Sequence, residues 1–237
     1  MNFKQFLFED SKIPPYVANA SIFLNRDQYN RYAALHHYLT HSDFEFLGNG
    51  VEKAAYVNKQ THETKIIFYK ESYESFVTFK RWIKFCNLRK NDPHLPDIKL
   101  DRPLNIVGDD GKKHQFQVAS MERLFSISGS QVGLIGASLE EVASQCDYVL
   151  KLFDAKLSKE ELILEVKNRL EEFSEDGELE DDAYSLLILS VEDIDALIGT
   201  LIDVVKFMPA GSILDLHPGN FMLGEDGTVV ITDPWIF

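Results

Sequence analysis

Three polar residues near the end of the 237-residue sequence have the types and spacing needed for metal-assisted chemistry. Asp215 and Asn220 are five positions apart, and Asp233 follows a run of β-forming residues. The turn sequence Asp226-Gly227 predicts a hairpin that brings Asn220 and Asp233 to one metal ion. Mg²⁺ prefers oxygen ligands, and a carboxylate such as that of Asp215 can accept the proton of an attacking hydroxyl. The pattern indicates phosphoryl transfer.

Each part of this pattern is weak by itself. A lone D-x-x-x-x-N spacing is common by chance, and an Asp after a strand is often only a turn former. The order, the spacing and the hairpin together favour a site. Phosphoryl transfer also needs a cover over the phosphates and a cation that pairs with them.

Candidates for the cover and the cation lie upstream. Gly48-Asn49-Gly50 separates two predicted strands and is typical of a shortened glycine-rich loop, whose backbone N–H groups can approach phosphates. Lys70 ends the next predicted strand and is our candidate for the phosphate-pairing cation, with Lys65 as the competitor. For its carboxylate partner we choose Glu74 over Glu71, because Glu74 lies inside the apolar-periodic segment that follows.

A later strand suggests where the base of a nucleotide would bind. The predicted strand ending at Met121 continues into Glu122, Arg123 and Leu124. This is the position of the hinge in the protein-kinase pattern, where backbone N–H and C=O groups hold adenine, and that resemblance implies that Met121, Glu122 and Leu124 hold adenine, with Met121 at the back of the pocket. Met121 and Leu124 are equally compatible with a purely structural place in the core.

The elements that position these residues fall into two groups. Short β-type runs and one main helix dominate the first half, and amphipathic helices followed by a hairpin dominate the second. The predicted helices cover residues 27–40, 72–89, 139–155, 158–173 and 191–208, and the later strands 102–107 and 114–121. We predict an α+β protein with an N-terminal arm and helix (1–43), a β-sheet lobe (44–122) and a small helical lobe (123–237).

Composition excludes several classes of function. The formal charge of −14 argues against a general grip on nucleic acid, which needs clustered Lys and Arg. No apolar run is long enough to cross a membrane, and the N-terminus lacks a signal peptide's apolar core, so we expect a cytoplasmic protein. Cys86 and Cys146 are predicted to be buried or incidental thiols.

The charge is distributed unevenly along the chain. Acidic residues crowd segment 171–195, whereas residues 80–90 are locally basic. The ordinary interpretation is a solvated acidic loop and a basic helix face. The alternative is that the acidic segment attracts a cationic substrate or a basic partner surface.

With these residues in place, the sequence resembles the protein-kinase-like superfamily, and more closely the early serine/threonine protein kinases of short-tailed coliphages. The resemblance rests on three stretches, of which the last is the most specific: Leu47-Gly48-Asn49-Gly50 with Ala54-Ala55-Tyr56, Met121-Glu122-Arg123-Leu124, and Asp215-Leu216-His217-Pro218-Gly219-Asn220 with Ile231-Thr232-Asp233-Pro234.

The resemblance implies a two-lobed kinase-like fold with a truncated helical lobe, and use of ATP with Mg²⁺, or Mn²⁺ as an alternative. Asp215 would be the catalytic base, Asn220 and Asp233 the metal ligands, and Lys70 the cation on the phosphates. The acceptors would be Ser or Thr of host proteins, and often of the enzyme itself. Such an enzyme would redirect host metabolism or transcription toward a virus.

Several positions depart from the kinase pattern. Lys53 replaces a third loop glycine, Phe68 replaces a small residue under adenine, and Leu214 replaces the usual Arg before the catalytic Asp. His217 replaces the usual Lys two positions after that Asp, as in small-molecule phosphotransferases, and we count it among the catalytic residues. Because the sequence stops at Phe237, we expect no activation segment and no peptide docking of the eukaryotic kind.

Two other functions remain open. His217 and the missing docking elements favour a small-molecule phosphotransferase of the aminoglycoside-kinase type. A non-catalytic protein that keeps the fold and binds a host factor through the acidic segment is the other alternative, because fold alone does not fix function.

Overall fold

The computed structural model describes residues 26–49, 52–69, 73–108, 111–127, 132–153, 156–175, 194–216 and 218–236. The helices in this part of the chain are α1 (Arg26–Thr40), α2 (Tyr73–Leu88), α3 (Val132–Phe153), α4 (Lys159–Glu175) and α5 (Ile194–Phe207). The strands are β1 (Phe44–Asn49), β2 (Lys53–Asn58), β3 (Thr64–Phe68), β4 (Ile98–Leu100), β5 (Leu104–Val107), β6 (Lys113–Met121), β7 (Phe125–Ser126), β8 (Ile213–Leu214), β9 (Phe221–Leu223), β10 (Val229–Ile231) and β11 (Trp235–Ile236).

These elements form an α+β protein with two compact units. The first unit comprises residues 1–73 and 99–121, and the second comprises residues 74–98 and 122–237. The predicted α+β class is therefore confirmed. No helix in the described ranges is long and apolar enough to cross a membrane.

The first unit is built on a sheet with the order β1-β2-β3-β6-β4, in which β5 also pairs with β6. Strand β6 is long enough to pair with β5 through its first half and with β3 through its second. Helix α1 packs on one face of the sheet, where Tyr32, Leu35 and Leu39 meet strand residues such as Tyr56 and Phe116. The spacing of these helical residues is the amphipathic period that predicted α1.

A polar network lies on the α1 face of this sheet, beyond the apolar core. The Lys65 ammonium donates hydrogen bonds to Asp101 (2.8 Å) and to the Ser120 hydroxyl, and forms an ion pair with Glu63 (2.8 Å). Lys99 contacts the other Glu63 oxygen at 2.9 Å. Burial opposes the charge on Lys65, but the bonds to Asp101 and Glu63 outweigh it and raise the pKa of the amine.

The Glu63 carboxyl gives this network a testable pH dependence. Hydrogen bonds from Lys65 and Lys99 lower the pKa of Glu63 from 4.5 to about 2. Since the pKa is lower in the folded state, the network stabilises the protein above about pH 4.5, and this contribution is lost as the pH falls toward about 2. Urea unfolding between about pH 7 and pH 3 should show a steeper loss of stability for the wild type than for Glu63→Gln. Equal slopes would contradict the prediction.

The second unit has a helical core. Helix α3 packs against α4 and α5, and it also contacts the short 3₁₀ turn Pro218–Asn220. The buried residues recur at helical spacing, for example Leu162, Val166 and Leu170 on α4. A capping box begins α4: the Ser158 hydroxyl accepts from the Glu161 N–H, and the Glu161 carboxylate accepts from the Ser158 N–H.

An aromatic cluster joins α2 to the end of the chain within this unit. Trp235 on β11 lies edge-on to Trp82 (5.4 Å between centroids) and to Phe85 (5.8 Å), and stacks on Phe207 (6.1 Å). Such pairs contribute beyond their buried area. The cluster holds β11, and therefore the residues just before it, against two helices.

Both cysteines are free and buried, as predicted. Burial raises the pKa of the Cys86 and Cys146 thiols well above the usual range. A thiol in such surroundings is an inert packing residue.

Candidate functional site

Asp215 is positioned by a two-stranded antiparallel ribbon that the sequence did not predict. Strands β8 and β11 pair with Leu214 opposite Trp235 and Ile213 opposite Ile236. The Asp215 N–H donates to the Pro234 carbonyl at 2.7 Å, which extends the ladder by one step. Asp215 is therefore fixed beside the residue that follows Asp233.

The side-chain amide of Asn220 lies close to both other candidate residues, Asp215 and Asp233. It ends the 3₁₀ turn, and its amide nitrogen lies 2.5 Å from the Asp215 carbonyl oxygen, 3.3 Å from an Asp215 carboxylate oxygen and 3.3 Å from the Asp233 carbonyl oxygen. Because all three neighbours are oxygens, this atom must be the NH₂ group. The amide oxygen is therefore the other branch of the group.

The hairpin β9–β10 links Asn220 to Asp233, as the sequence predicted. Its register pairs Phe221 with Ile231. Its turn uses Gly227 at φ 87°, a conformation that suits glycine. At its open end, both the N–H and the hydroxyl of Thr232 donate to the Asn220 carbonyl, at 2.7 and 3.1 Å. These bonds hold Asn220 beside Thr232, the residue that precedes Asp233.

Asp233 has an unusual backbone conformation. Its φ is +49°, in the left-handed region that side chains other than Asn, Asp and Gly rarely adopt. It also precedes Pro234, a position that favours extended backbone. The local sequence therefore disfavours the observed geometry, and the bonds around Asn220 and Thr232 must maintain it. Conformations of this kind concentrate at functional sites.

His94 supports β10 from the connection between α2 and β4. Its ring Nδ1 donates to the Val229 carbonyl at 2.8 Å, and its own carbonyl accepts from the Ile231 N–H at 2.9 Å. The Nδ1 atom must carry the proton because a carbonyl can only accept. His94 is buried and takes the place of a strand beside β10. Sequence reasoning missed it, since nothing local marks a partner 135 positions away.

Removing the His94 side chain should destabilise the fold. His94→Ala leaves the buried Val229 carbonyl without this donor and creates a cavity, so we expect a loss of about 2–4 kcal/mol in urea unfolding. His94→Asn places an amide N–H near the position of Nδ1 and should recover part of the loss. Equal destabilisation by the two variants would show that the hydrogen bond contributes nothing.

The structure describes only part of Gly48-Asn49-Gly50, the segment predicted to cover the phosphates. Gly48 and Asn49 end β1, where the register with β2 shifts between Phe46 and Gly48. A Cβ added at Gly48 would meet no atom of the described residues within 4 Å, so packing in that part of the protein does not demand a glycine there. Gly50 lies outside the described residues.

Of the two lysines predicted as candidates for pairing with the phosphates, the structure describes only Lys65. Lys65 lies on β3 with its ammonium held by Glu63, Asp101 and Ser120. Lys70 lies outside the described residues, and its role stays a prediction. Glu74 lies in α2, next to its first residue. His217 also lies outside the described residues.

The predicted adenine segment lies at the end of β6 and just beyond it. Met121 ends the strand and is buried, as is Leu124. Glu122 is exposed, and its carboxylate accepts a hydrogen bond from the Asp97 N–H at 3.0 Å. In the second unit, β7 then pairs with β9, with Phe125 opposite Leu223, so the two residues that follow Leu124 run beside the strand that follows Asn220.

The two residues predicted from the sequence as metal ligands, Asn220 and Asp233, have side-chain oxygens of the kind that Mg²⁺ prefers. Within the described ranges, no group of three or more His, Cys, Asp or Glu side chains could hold a metal ion. Asn220 and Asp233 would supply an amide oxygen and a carboxylate, and the structure brings the main-chain carbonyl of Asp233 to within 3.3 Å of the Asn220 amide nitrogen. Mg²⁺ commonly takes one or two carboxylates, with substrate phosphates and water completing its shell.

The sequence matches no protein-family model, and a search of the curated proteins finds no significant match.

Proposed function

We propose that this protein is an ATP-dependent phosphotransferase of the protein-kinase-like fold, most concretely a serine/threonine protein kinase that acts on host proteins, on itself or on both. The observation that carries the proposal is the position of the Asn220 amide nitrogen, which lies 3.3 Å from an Asp215 carboxylate oxygen and 3.3 Å from the main-chain carbonyl oxygen of Asp233. A base and two metal ligands at this spacing are the parts that phosphoryl transfer requires.

The chemistry assigns one role to each residue. The Asp215 carboxylate orients the acceptor hydroxyl and takes its proton as the oxygen attacks the γ-phosphorus. The bond from that phosphorus to the β-phosphate oxygen breaks, and ADP leaves. Asn220 and Asp233 would hold Mg²⁺, which neutralises the phosphate charge when bound.

The first unit supports the nucleotide part of the proposal. Its antiparallel sheet carries Gly48 and Asn49 at the end of β1, and Met121 at the end of β6. Because three oxygen acceptors already hold the Lys65 ammonium, we assign the phosphate-pairing role to Lys70. The glycine segment 48–50 would cover the phosphates, and Met121, Glu122 and Leu124 would hold adenine.

The test is incubation of the purified full chain with labelled ATP and Mg²⁺, or Mn²⁺ in parallel, in the presence of host lysate. We expect phosphate on Ser or Thr of the protein itself or of lysate proteins, detected by intact mass and phosphopeptide mapping. Label on a small amine- or hydroxyl-bearing molecule alone would favour the small-molecule phosphotransferase instead.

Absence of any transfer would overturn the proposal. A wild-type biological effect from the double variant Asp215→Ala/Asp233→Ala would indicate a non-catalytic protein that binds a host factor.

A further inference from the structure

The ribbon that positions Asp215 has one buried face and one exposed face. Trp235 and Leu214 lie opposite each other, and Trp235 is buried in the aromatic cluster. Ile213 and Ile236 form the next pair, with 60% and 40% of their surfaces exposed. Side chains opposite each other in an antiparallel pair are about 5 Å apart. The two isoleucines therefore form one small apolar surface.

This surface lies next to the proposed base. Ile213 precedes Asp215 by two residues, and the bond from the Asp215 N–H to the Pro234 carbonyl continues the extended pairing to Asp215. Because strand side chains alternate, residues two apart share a face, separated by about 7 Å. Asp215 and the isoleucine pair therefore point to the same side of the ribbon.

The ribbon can accept a further strand. Among the described residues its sheet contains only β8 and β11, so both are edge strands. Edge strands bind extended peptides through main-chain hydrogen bonds, with alternate side chains supplying specificity. Single exposed isoleucines are ordinary, but a directly opposed pair on an edge ribbon beside a proposed base is suited to a peptide side chain.

Charge identifies the kind of peptide. The second unit, which carries the ribbon, has 27 Asp and Glu against 12 Lys and Arg, which gives −15. The first unit has 11 acidic and 12 basic residues, which gives +1. The excess negative charge of the protein is thus confined to the unit that holds Asp215. Such a field attracts cationic segments and repels acidic ones.

We propose that the β8–β11 ribbon docks the acceptor as an extended, Lys- or Arg-rich protein segment that carries an apolar residue two positions from the target Ser or Thr. This inference rests on the proposed function and specifies its substrate. The apolar residue contacts Ile213 and Ile236 while the hydroxyl reaches Asp215. The hydroxyl oxygen bonds to the γ-phosphorus, ADP leaves, and the proton passes to Asp215 and then to solvent.

The experiment uses the full chain and peptides that contain one threonine flanked by arginines. In each peptide a valine or a serine stands two positions before or two positions after the threonine. For the best valine peptide, Ile213→Ser/Ile236→Ser should lower kcat/KM roughly tenfold, as expected for the loss of one partly buried apolar contact. The serine peptide should be equally poor with both proteins, and a glutamate-flanked peptide should be poor throughout.

Leu164→Ser is the matched control, because Leu164 is 58% exposed on α4. Ile213→Val/Ile236→Val should restore peptide phosphorylation. No difference between Ile213→Ser/Ile236→Ser and Leu164→Ser, or no preference for basic over acidic peptides, would overturn the proposal. If light scattering shows a dimer, and Ile213→Ser/Ile236→Ser dissociates it, the surface instead binds a second copy of this chain.

Peptide binding without ATP, measured by fluorescence anisotropy, separates this inference from the proposed function. Binding of the arginine-flanked valine peptide that is lost in Ile213→Ser/Ile236→Ser supports the ribbon even if no phosphate is transferred. If the ribbon substitutions do not change phosphate transfer to peptides, the proposed phosphotransferase activity is supported and the proposed docking surface is wrong.

Discussion

Asp215→Ala should lower kcat for phosphoryl transfer by about 10²–10⁴-fold, the usual contribution of an oriented base. The fold around the site should persist, because Asn220 makes its shortest contact with the main-chain oxygen of residue 215, which the substitution keeps. The KM for ATP should change little, since the lost carboxylate serves the acceptor hydroxyl. Steady-state kinetics with labelled ATP measures both quantities.

Glu225→Ala is the matched control for this experiment. Glu225 is an exposed carboxylate in the β9–β10 turn of the same unit, and its removal changes the net charge equally. It should leave kcat unchanged and cause no change in urea unfolding. Equal activity of Asp215→Ala and Glu225→Ala would exclude Asp215 as the base.

The parts of the fold that could be predicted are those with a long local signal. Helix α1 repeats apolar residues such as Tyr32, Leu35 and Leu39 at helical spacing over several turns. The β9–β10 hairpin is marked by Asp226-Gly227 between two β-type runs. In both cases the residues that determine the structure are neighbours in the sequence.

The ribbon that positions Asp215 has no such signal. Strands β8 and β11 contain two residues each, too few for an alternation to be recognised. The ribbon is stabilised by contacts between residues that are distant in the sequence. Leu214 pairs with Trp235, and Trp235 packs on Trp82, Phe85 and Phe207. Sequence spacing identified the residues of the candidate site, but the support beneath them depends on contacts between distant segments.

Lys65 illustrates a different limit. The sequence favoured Lys70, which follows the strand, over Lys65, which lies at its start, as the phosphate-pairing lysine. The partners that hold Lys65 come from three places in the chain: Glu63 just before β3, Asp101 after β4, and Ser120 on β6. Only the register of β3 with β6, in which Lys65 lies opposite Ser120, brings them together.

Asp233 should show separate effects on activity and on stability. Asp233→Ala, Asp233→Asn and Asp233→Gly all remove the proposed metal-binding carboxylate, so each should lower transfer by at least ~10²-fold, above the loss typical for an outer-shell partner of a metal. Raised Mg²⁺ should recover part of the activity of Asp233→Asn, whose amide oxygen remains a weak ligand. Activity as a function of Mg²⁺ concentration measures this.

The stabilities of the same variants should follow the backbone instead. At φ +49°, the left-handed backbone is sterically unfavourable for alanine, less unfavourable for asparagine and not unfavourable for glycine. Asp233→Gly should therefore be more stable than Asp233→Ala by about 1 kcal/mol in urea unfolding, with Asp233→Asn between them. If activity followed this stability order, Asp233 would act through the backbone alone. Loss of activity in all three, including the most stable, would assign the function to the carboxylate.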